Sequence, residues 1–331
     1  MIPEAGCSRK RTSPPDVAPH CAAGYHAAMS EAIGAPPPRR ILVLGHSGFI
    51  GTHLMAHLAA AFPAAELTGR SFPECDLTTP GGADSLSPLI DRETAVVVLS
   101  GIKKQHGDTL DTFSRNVAIG VNLGALLGRR PSGRTILVST ADVYGEERQN
   151  TAIDEATPVG PTSYYGMAKY AVECLLAKAA ATGQVGPLSI LRLPFVYGPG
   201  DAAGIYGPLG FIAAARAGEP IVLWGEGDER REFLYVGDLV GVIGRLLASD
   251  QDGVLNVVSG RSRTFREVAD VVASLAGPGT VITTRPRSRL KVDNAFTGER
   301  MRRHFPAFAF TPLEEGIRAV WDATVPGERR P

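Results

Sequence analysis

The chain has 331 residues, 34 Lys+Arg against 34 Asp+Glu for a formal net charge of zero, and 44% hydrophobic residues. Such a chain buries one large core or two modest ones, and with no block of like charge neither a nucleic acid nor an anionic membrane is the expected partner. Cys7, Cys21, Cys75 and Cys174 are too few and too scattered for a disulfide framework or a CxxC metal site, which points to the reducing cytoplasm, and no apolar stretch approaches the ~20 residues of a membrane span.

Residues 1–39 contain Ser13-Pro14-Pro15 and Pro36-Pro37-Pro38 without apolar periodicity, and a disordered leader is expected there. The leader lacks the continuous hydrophobic segment of a secretory signal. Met29 offers a second start a dozen residues before the first strand, so residues 1–28 are expected to be a gene-start artefact. From Arg40 the pattern is strand, turn, helix, repeated. The apolar run Ile41–Leu44 precedes a glycine-rich turn and a helix over Phe49–Ala61, and Glu66–Thr68 is the next strand. Strands follow at Ala95–Leu99, Thr135–Ser139 and Leu188–Leu193, with helices at Phe113–Leu127 and Ser163–Ala181 between them. This alternation predicts an α/β fold with a doubly wound parallel sheet. Beyond it the composition turns to Gly, Pro and Arg, with strands at Ile221–Trp224 and Val254–Val258 and helices at Phe265–Leu275 and Leu313–Ala323. The expected division is a dinucleotide-binding unit over 40–195, rejoined by 236–258. A smaller α/β substrate-binding domain takes 196–235 and 259–325, and 326–331 is a tail. No internal repeat is visible.

Gly45-His46-Ser47-Gly48-Phe49-Ile50-Gly51 places a glycine at every third position between a strand and a helix. The first permits a tight turn, the second lets the backbone approach a pyrophosphate, and the third allows close helix–strand packing, with the helix N-terminus facing the anion. An acid about 20 residues on would bind an adenosine ribose 2′-hydroxyl, and an arginine would accept a 2′-phosphate. Glu66 stands at the beginning of the next strand, whereas Arg70 stands at its carboxyl end, where the ribose belongs. NADP(H) is therefore slightly favoured over NAD(H). Asp76, with Leu77 after it, is set to accept an adenine amino group or to cap a helix.

Tyr165 and Lys169 are one helical turn apart, so a phenol and an ammonium share one face. A free phenol has a pKa near ~10, and an adjacent cation stabilises the phenolate, which suits proton exchange with a sugar hydroxyl. Ser139-Thr140 closes the preceding strand at its carboxyl end, where open α/β sheets bind ligands, and Thr140 is placed to hydrogen-bond the reacting oxygen. His106 lies in the polar loop Ile102–His106, a surface histidine more readily than a second proton donor. His53 and His57 are one turn apart on the first helix with no third ligand evident, so no metal is expected.

The ordered set Gly45/Gly48/Gly51, Ser139-Thr140 with Val143-Tyr144-Gly145, Tyr165/Lys169, Arg192 with Val196-Tyr197-Gly198-Pro199, and Arg231-Glu232-Phe233 with Tyr235-Val236-Gly237-Asp238 resembles the extended short-chain dehydrogenase/reductases. These are also known as the NAD-dependent epimerase/dehydratase family, which acts mostly on nucleotide sugars through a Rossmann-type domain. The resemblance runs from about Arg40 to Ala323. It implies that Tyr165 is the acid/base, Lys169 its partner and Thr140 the hydroxyl of the triad. The expected cofactor set, taking both readings together, is Gly45, Gly48, Phe49, Ile50, Gly51, Arg70, Asp76, Leu77, Leu99, Asn116, Ser139, Tyr165, Lys169 and Leu193. Asn116 would act by positioning. Thr140, Asp142, Arg231 and Arg289 would face the substrate, Arg231 at its diphosphate with the cluster Arg285, Arg287 and Arg289 as further cations. Family members often dimerise through the helices that correspond to Phe113–Leu127 and Ser163–Ala181, and a homodimer is expected.

Departures from the family pattern narrow the reaction. Sugar 4,6-dehydratases carry an Asp-Glu pair directly after the catalytic Thr; here Ala141-Asp142 stand there, which disfavours dehydration and leaves Asp142 as a single acid or base. Reductase-epimerases that resemble GDP-fucose synthase place a cysteine where Ala141 stands. C4 chemistry remains, as a 4-epimerase that recycles bound NAD or a 4-ketoreductase that uses NADPH. The alternatives are a dehydratase of the same family, or a non-catalytic sensor or scaffold that binds dinucleotide.

Overall fold

The computed structural model describes residues 36–201 and 207–324. The leader before Pro36, with Cys7, Cys21 and Met29, and the tail after Thr324 lie outside the described residues. Six parallel strands form the central sheet: β1 (Arg40–Leu44), β2 (Glu66–Arg70), β3 (Thr94–Val98), β4 (Arg134–Thr140), β5 (Leu188–Leu193) and β6 (Gly253–Asn256), in the spatial order β6-β5-β4-β3-β1-β2. Four helices cover it: α1 (Phe49–Ala61), α2 (Leu110–Arg129), α3 (Tyr164–Ala181) and α4 (Val236–Leu247).

Alternate residues of each buried strand point to opposite faces. Ile41 and Val43 join Ala95 and Val97 in a core closed by Leu54 and Leu58 of α1 and by Leu239, Val242 and Ile243 of α4. Leu42 and Leu44 join Val96 and Val98 in the opposite core, closed by Leu123 and Leu126 of α2 and Val172 and Leu176 of α3. A sheet covered on both faces needs the continuous apolar runs that the sequence shows at these strands. The expected strands and helices all form, with ends moved by up to three residues: β2 runs on to Arg70 and α2 begins at Leu110. The helix α4, which the reading did not name, is an addition.

Strand order reverses between β1 and β3, so their carboxyl ends open a crevice, the usual ligand position in such sheets. A third core, with Ile221, Leu223, Val268, Val272 and Ile317, belongs to the accessory part of the chain. There Ile221–Trp224 pairs in parallel with Ile282–Arg285, and the helices Pro208–Arg216, Phe265–Ala276 and Leu313–Ala323 pack around the pair. Among the described residues no helix is long and apolar enough to cross a membrane.

Candidate active site

The turn after β1 has the geometry its glycines imply. Gly45 adopts φ +90°, a left-handed conformation that only glycine takes without strain. A Cβ on Gly51 would stand 2.2 Å from the Gly45 carbonyl oxygen, so α1 packs against the turn only because that atom is absent. Gly48 differs: a Cβ there would meet nothing closer than the Gly45 carbonyl oxygen at 3.5 Å. The fold itself does not require glycine at Gly48. What the missing side chain leaves is an open cradle at the N-terminus of α1, beside the crevice, and this fits the close approach of a pyrophosphate. Leu99 N–H donates to the Leu44 carbonyl at 2.8 Å and sets Leu99 on the other wall.

At the end of β2, Arg70 is half-buried with Nη1 on the Gly69 carbonyl at 2.8 Å. Ser71 Oγ accepts Ser47 N–H at 3.1 Å and shares a hydrogen bond with His46 Nδ1 at 2.9 Å. Glu66 pairs in register with Arg40 at the opposite end of the strand, so the carboxyl end of β2 presents Arg70, Ser71 and His46 and no carboxylate from that strand. Asp76 Oδ1 accepts both Thr78 N–H, at 3.0 Å, and Thr78 Oγ1–H, at 2.7 Å, which holds the carboxyl below the usual range. Asp76 thus closes a turn, and the N-cap of the short helix that follows is Thr79. Leu77 and Leu193 are buried.

β4 and α3 bring the turn of Thr140 and Asp142 together with Tyr165 and Lys169. Thr140 accepts Asp142 N–H at 3.2 Å, which leaves its own hydroxyl proton free to donate. Ser163 caps α3 by accepting Gly166 N–H at 3.1 Å, and Tyr165 N–H, another orphan donor of that first turn, goes to Asp108 Oδ1 at 2.9 Å. A Cβ on Gly166 would lie 2.9 Å from the Asp142 carbonyl oxygen, so the helix start abuts the turn that carries Asp142. Lys169 is buried and donates to the Val138 carbonyl at 2.6 Å, two residues before Thr140.

Burial shifts each ionisable group here. Burial pulls Lys169 down to about 8, with the Glu173 carboxylate opposing that fall. Burial raises Asp142 to about 6, helped by Glu146 and opposed by Lys104. The Tyr165 phenol is raised by burial and then by the Asp142 charge, which places Asp142 and Tyr165 within electrostatic reach of one another.

Asn116 clasps the loop after β3 at both backbone groups of Ile102: Oδ1 accepts its N–H at 2.8 Å and Nδ2 donates to its carbonyl at 3.0 Å. In that loop Lys104 pairs with Glu146, and His106 is exposed. His53 Nε2 engages the Pro199 carbonyl at 2.8 Å, His57 is drawn down to about 4 by burial, and the described residues hold no group of three or more His, Cys, Asp or Glu arranged for a metal. Arg231 points inward: its buried guanidinium meets the Val292 carbonyl, the Arg230 carbonyl at 2.8 Å and Glu229 at 3.7 Å. Glu229 also draws Arg287, at 3.0 Å, and Arg289, at 3.9 Å, while Arg285 stacks on Trp224 at 3.4 Å. Arg289, its side chain 53% exposed, stays open to solvent. Glu173, whose buried carboxylate pairs with Arg192, carries no mark in the sequence beyond its place one helical turn past Lys169.

Residues 41–258 match the model of the NAD dependent epimerase/dehydratase family. The chain belongs to that family. It is 30% identical to the GDP-6-deoxy-D-mannose reductase of Pseudomonas aeruginosa over 305 residues, 87% of this chain and 98% of that protein. It is 26% identical to UDP-glucuronic acid decarboxylase 2 of Arabidopsis thaliana over 75% of this chain, but the match spans only 60% of that longer protein. The fold matches the UDP-glucose 4-epimerase of Thermus thermophilus in complex with NAD with a TM-score of 0.70 at 24% identity, covering 86% of this chain and 98% of that one.

Proposed function

We propose that this family member is an NAD(P)-dependent oxidoreductase acting at C4 of a nucleotide-activated sugar, as a 4-ketoreductase or a 4-epimerase. The observation that carries the reading is the meeting of Thr140, Asp142, Tyr165 and Lys169 at the carboxyl end of β4, with Lys169 Nζ on the Val138 carbonyl and the Asp142 charge acting on Tyr165. A bound nicotinamide supplies the hydride chemistry. The turn with Gly45, Gly48 and Gly51 would hold the pyrophosphate, Phe49 and Ile50 begin the helix that would face it, and Lys169 would hold the nicotinamide ribose. Thr140 orients the C4 oxygen. Tyr165 gives a proton to that oxygen as a ketone is reduced and takes one back when an alcohol is oxidised, with the Lys169 cation favouring the phenolate.

NADP(H) is the proposed cofactor on the donor set Arg70, Ser71 and His46. Reduction is favoured over epimerisation on the same ground and on the likeness to the Pseudomonas reductase along nearly its whole length. Arg289, open to solvent, supplies the cation of the diphosphate site, and Arg231, turned inward onto the Val292 carbonyl and Glu229, is set aside from that role. The deciding assay combines the purified chain with a panel of UDP-, GDP- and dTDP-4-keto-6-deoxyhexoses and NADPH, followed at 340 nm, with NMR of the products. Stereospecific reduction at C4 is expected. NADPH consumption with none of the panel, together with no C4 epimerisation of the corresponding 4-hydroxy sugars, would overturn the reading.

A further inference from the structure

Behind Lys169 lies a connected set of buried polar groups that the chemistry above does not use. Glu173, one helical turn beyond Lys169, has its side chain 3% exposed, and Arg192 of β5 is 6% exposed. Arg192 reaches the Glu173 carboxylate through Nη2 at 2.7 Å and through Nε at 3.1 Å, and Ser139 Oγ donates to the same carboxylate. From the other side of the guanidinium, Nη1 donates to Tyr144 OH at 2.9 Å, and Tyr144 OH donates to Asn256 Oδ1 at 2.9 Å.

A buried ion pair gains little over well-packed apolar side chains, because both ions lose their water. Its position suggests another use. Ser139 precedes Thr140, Tyr144 lies two residues beyond Asp142, and Glu173 lies four beyond Lys169, so one network ties together the backbone beside Thr140, Asp142 and Lys169. We infer that Glu173, fixed by Arg192, is a positioning residue whose carboxylate keeps Lys169 charged beside Tyr165. The inference rests on the reading of Lys169 as the cation of the Tyr165 acid/base.

The need is electrostatic. The hydrogen-bond acceptor of Lys169 is a neutral carbonyl, which compensates poorly for burying an ammonium. Among the charged groups of the neighbouring elements, Glu173 lies one turn on along the same helix with Arg192 of β5 against it, and Asp142 follows the end of β4; a Cβ on Gly101, in the loop after β3, would lie 3.9 Å from Lys169 Nζ. Of these, the Glu173 carboxylate opposes the fall that burial imposes on Lys169. Without it the ammonium gives up its proton nearer neutrality, and the phenolate loses its counter-charge.

The test titrates Lys169 directly, in full-length protein labelled with 13Cε-lysine, where Lys169→Met identifies its signal among six lysines. Glu173→Gln is expected to lower the Lys169 midpoint by about one pH unit or more. Because that variant strands the Arg192 cation, the neutral double variant E173Q/R192M is titrated beside it, each after a thermal melt shows it folded. A Lys169 midpoint equal to that of the wild type in either folded variant overturns the proposal. Failure of both variants to fold also overturns it, since the pair would then serve the fold alone. The titration uses neither substrate nor cofactor, so its failure is separate from failure of the acid/base reading, which depends on turnover.

Discussion

Gly45 N–H donates to the Arg70 carbonyl at 2.7 Å, fixing the carboxyl end of β2 against the glycine turn that follows β1. The Arg70 backbone is therefore held beside that turn, at the end of the crevice proposed for the ribose, and β2 places its one carboxylate, Glu66, at the far end. A charge-assisted contact contributes about 1.5–3 kcal/mol, or roughly 10- to 150-fold in affinity. Arg70→Ala is expected to weaken NADPH binding by about that factor while NADH binding changes by less than about threefold. Fluorescence titration with both cofactors checks it. An equal loss for both would remove Arg70 from the 2′-phosphate.

Asp142 gives a pH prediction whose sign follows from its neighbours. Burial lifts its carboxyl to about 6, so it loses its charge as pH falls through that value, well above the ordinary carboxylate range. Its negative charge in turn disfavours the Tyr165 phenolate. In Asp142→Asn the limb of the pH–rate profile near 6 should disappear, and the Tyr165 limb should move to lower pH. A Tyr165 limb that moves up, or does not move, would separate the two residues.

Tyr165→Phe would remove the proposed proton donor and leave the cradle intact. Turnover should fall by about 10²- to 10⁴-fold, with cofactor affinity within about threefold of wild type. Stopped-flow reduction and equilibrium titration read the two effects separately. Unchanged behaviour in every assay would favour a dinucleotide sensor over an enzyme.

Legibility in the sequence followed the distance over which each feature is encoded. The cradle spans seven residues and Tyr165/Lys169 five, so spacing alone placed their side chains. The central strands were legible because a doubly covered sheet writes uninterrupted apolar runs. The helix α4 was not: ten of its twelve residues are buried, and Gly237, Gly241 and Gly244 argue against a helix by propensity. Gly244 is there for packing, since a Cβ would come 2.8 Å from His57 Nε2. Glu173 and Arg192 lie 19 residues apart on a helix and a strand. Only the docking of α3 over β5 makes them partners, and no local pattern records that. Arg231 was legible as a cation but not in its direction, because Val292 and Glu229 meet it only once the accessory part has folded.

The homodimer expected from the resemblance is proposed to form through the outer faces of α2 and α3. Leu110 and Val121 on α2, and Tyr164, Met167, Tyr170 and Leu175 on α3, are 36–62% exposed, an unusual density of large apolar side chains on two adjacent helices. A second copy related by a twofold axis would present the same stripe and bury both, with each residue meeting its counterpart's neighbours. Light scattering is expected to give about twice 34.9 kDa for the wild type. Met167→Glu combined with Leu175→Glu should give the single-chain mass, because each carboxylate would lose its water at the centre of such an interface. Neither side chain contributes to the buried cores, so the melting temperature of the monomeric variant should reflect lost association rather than a damaged fold, and it should no longer rise with protein concentration. A wild type that runs as a single chain at micromolar concentration would rule the stripe out as a dimer face.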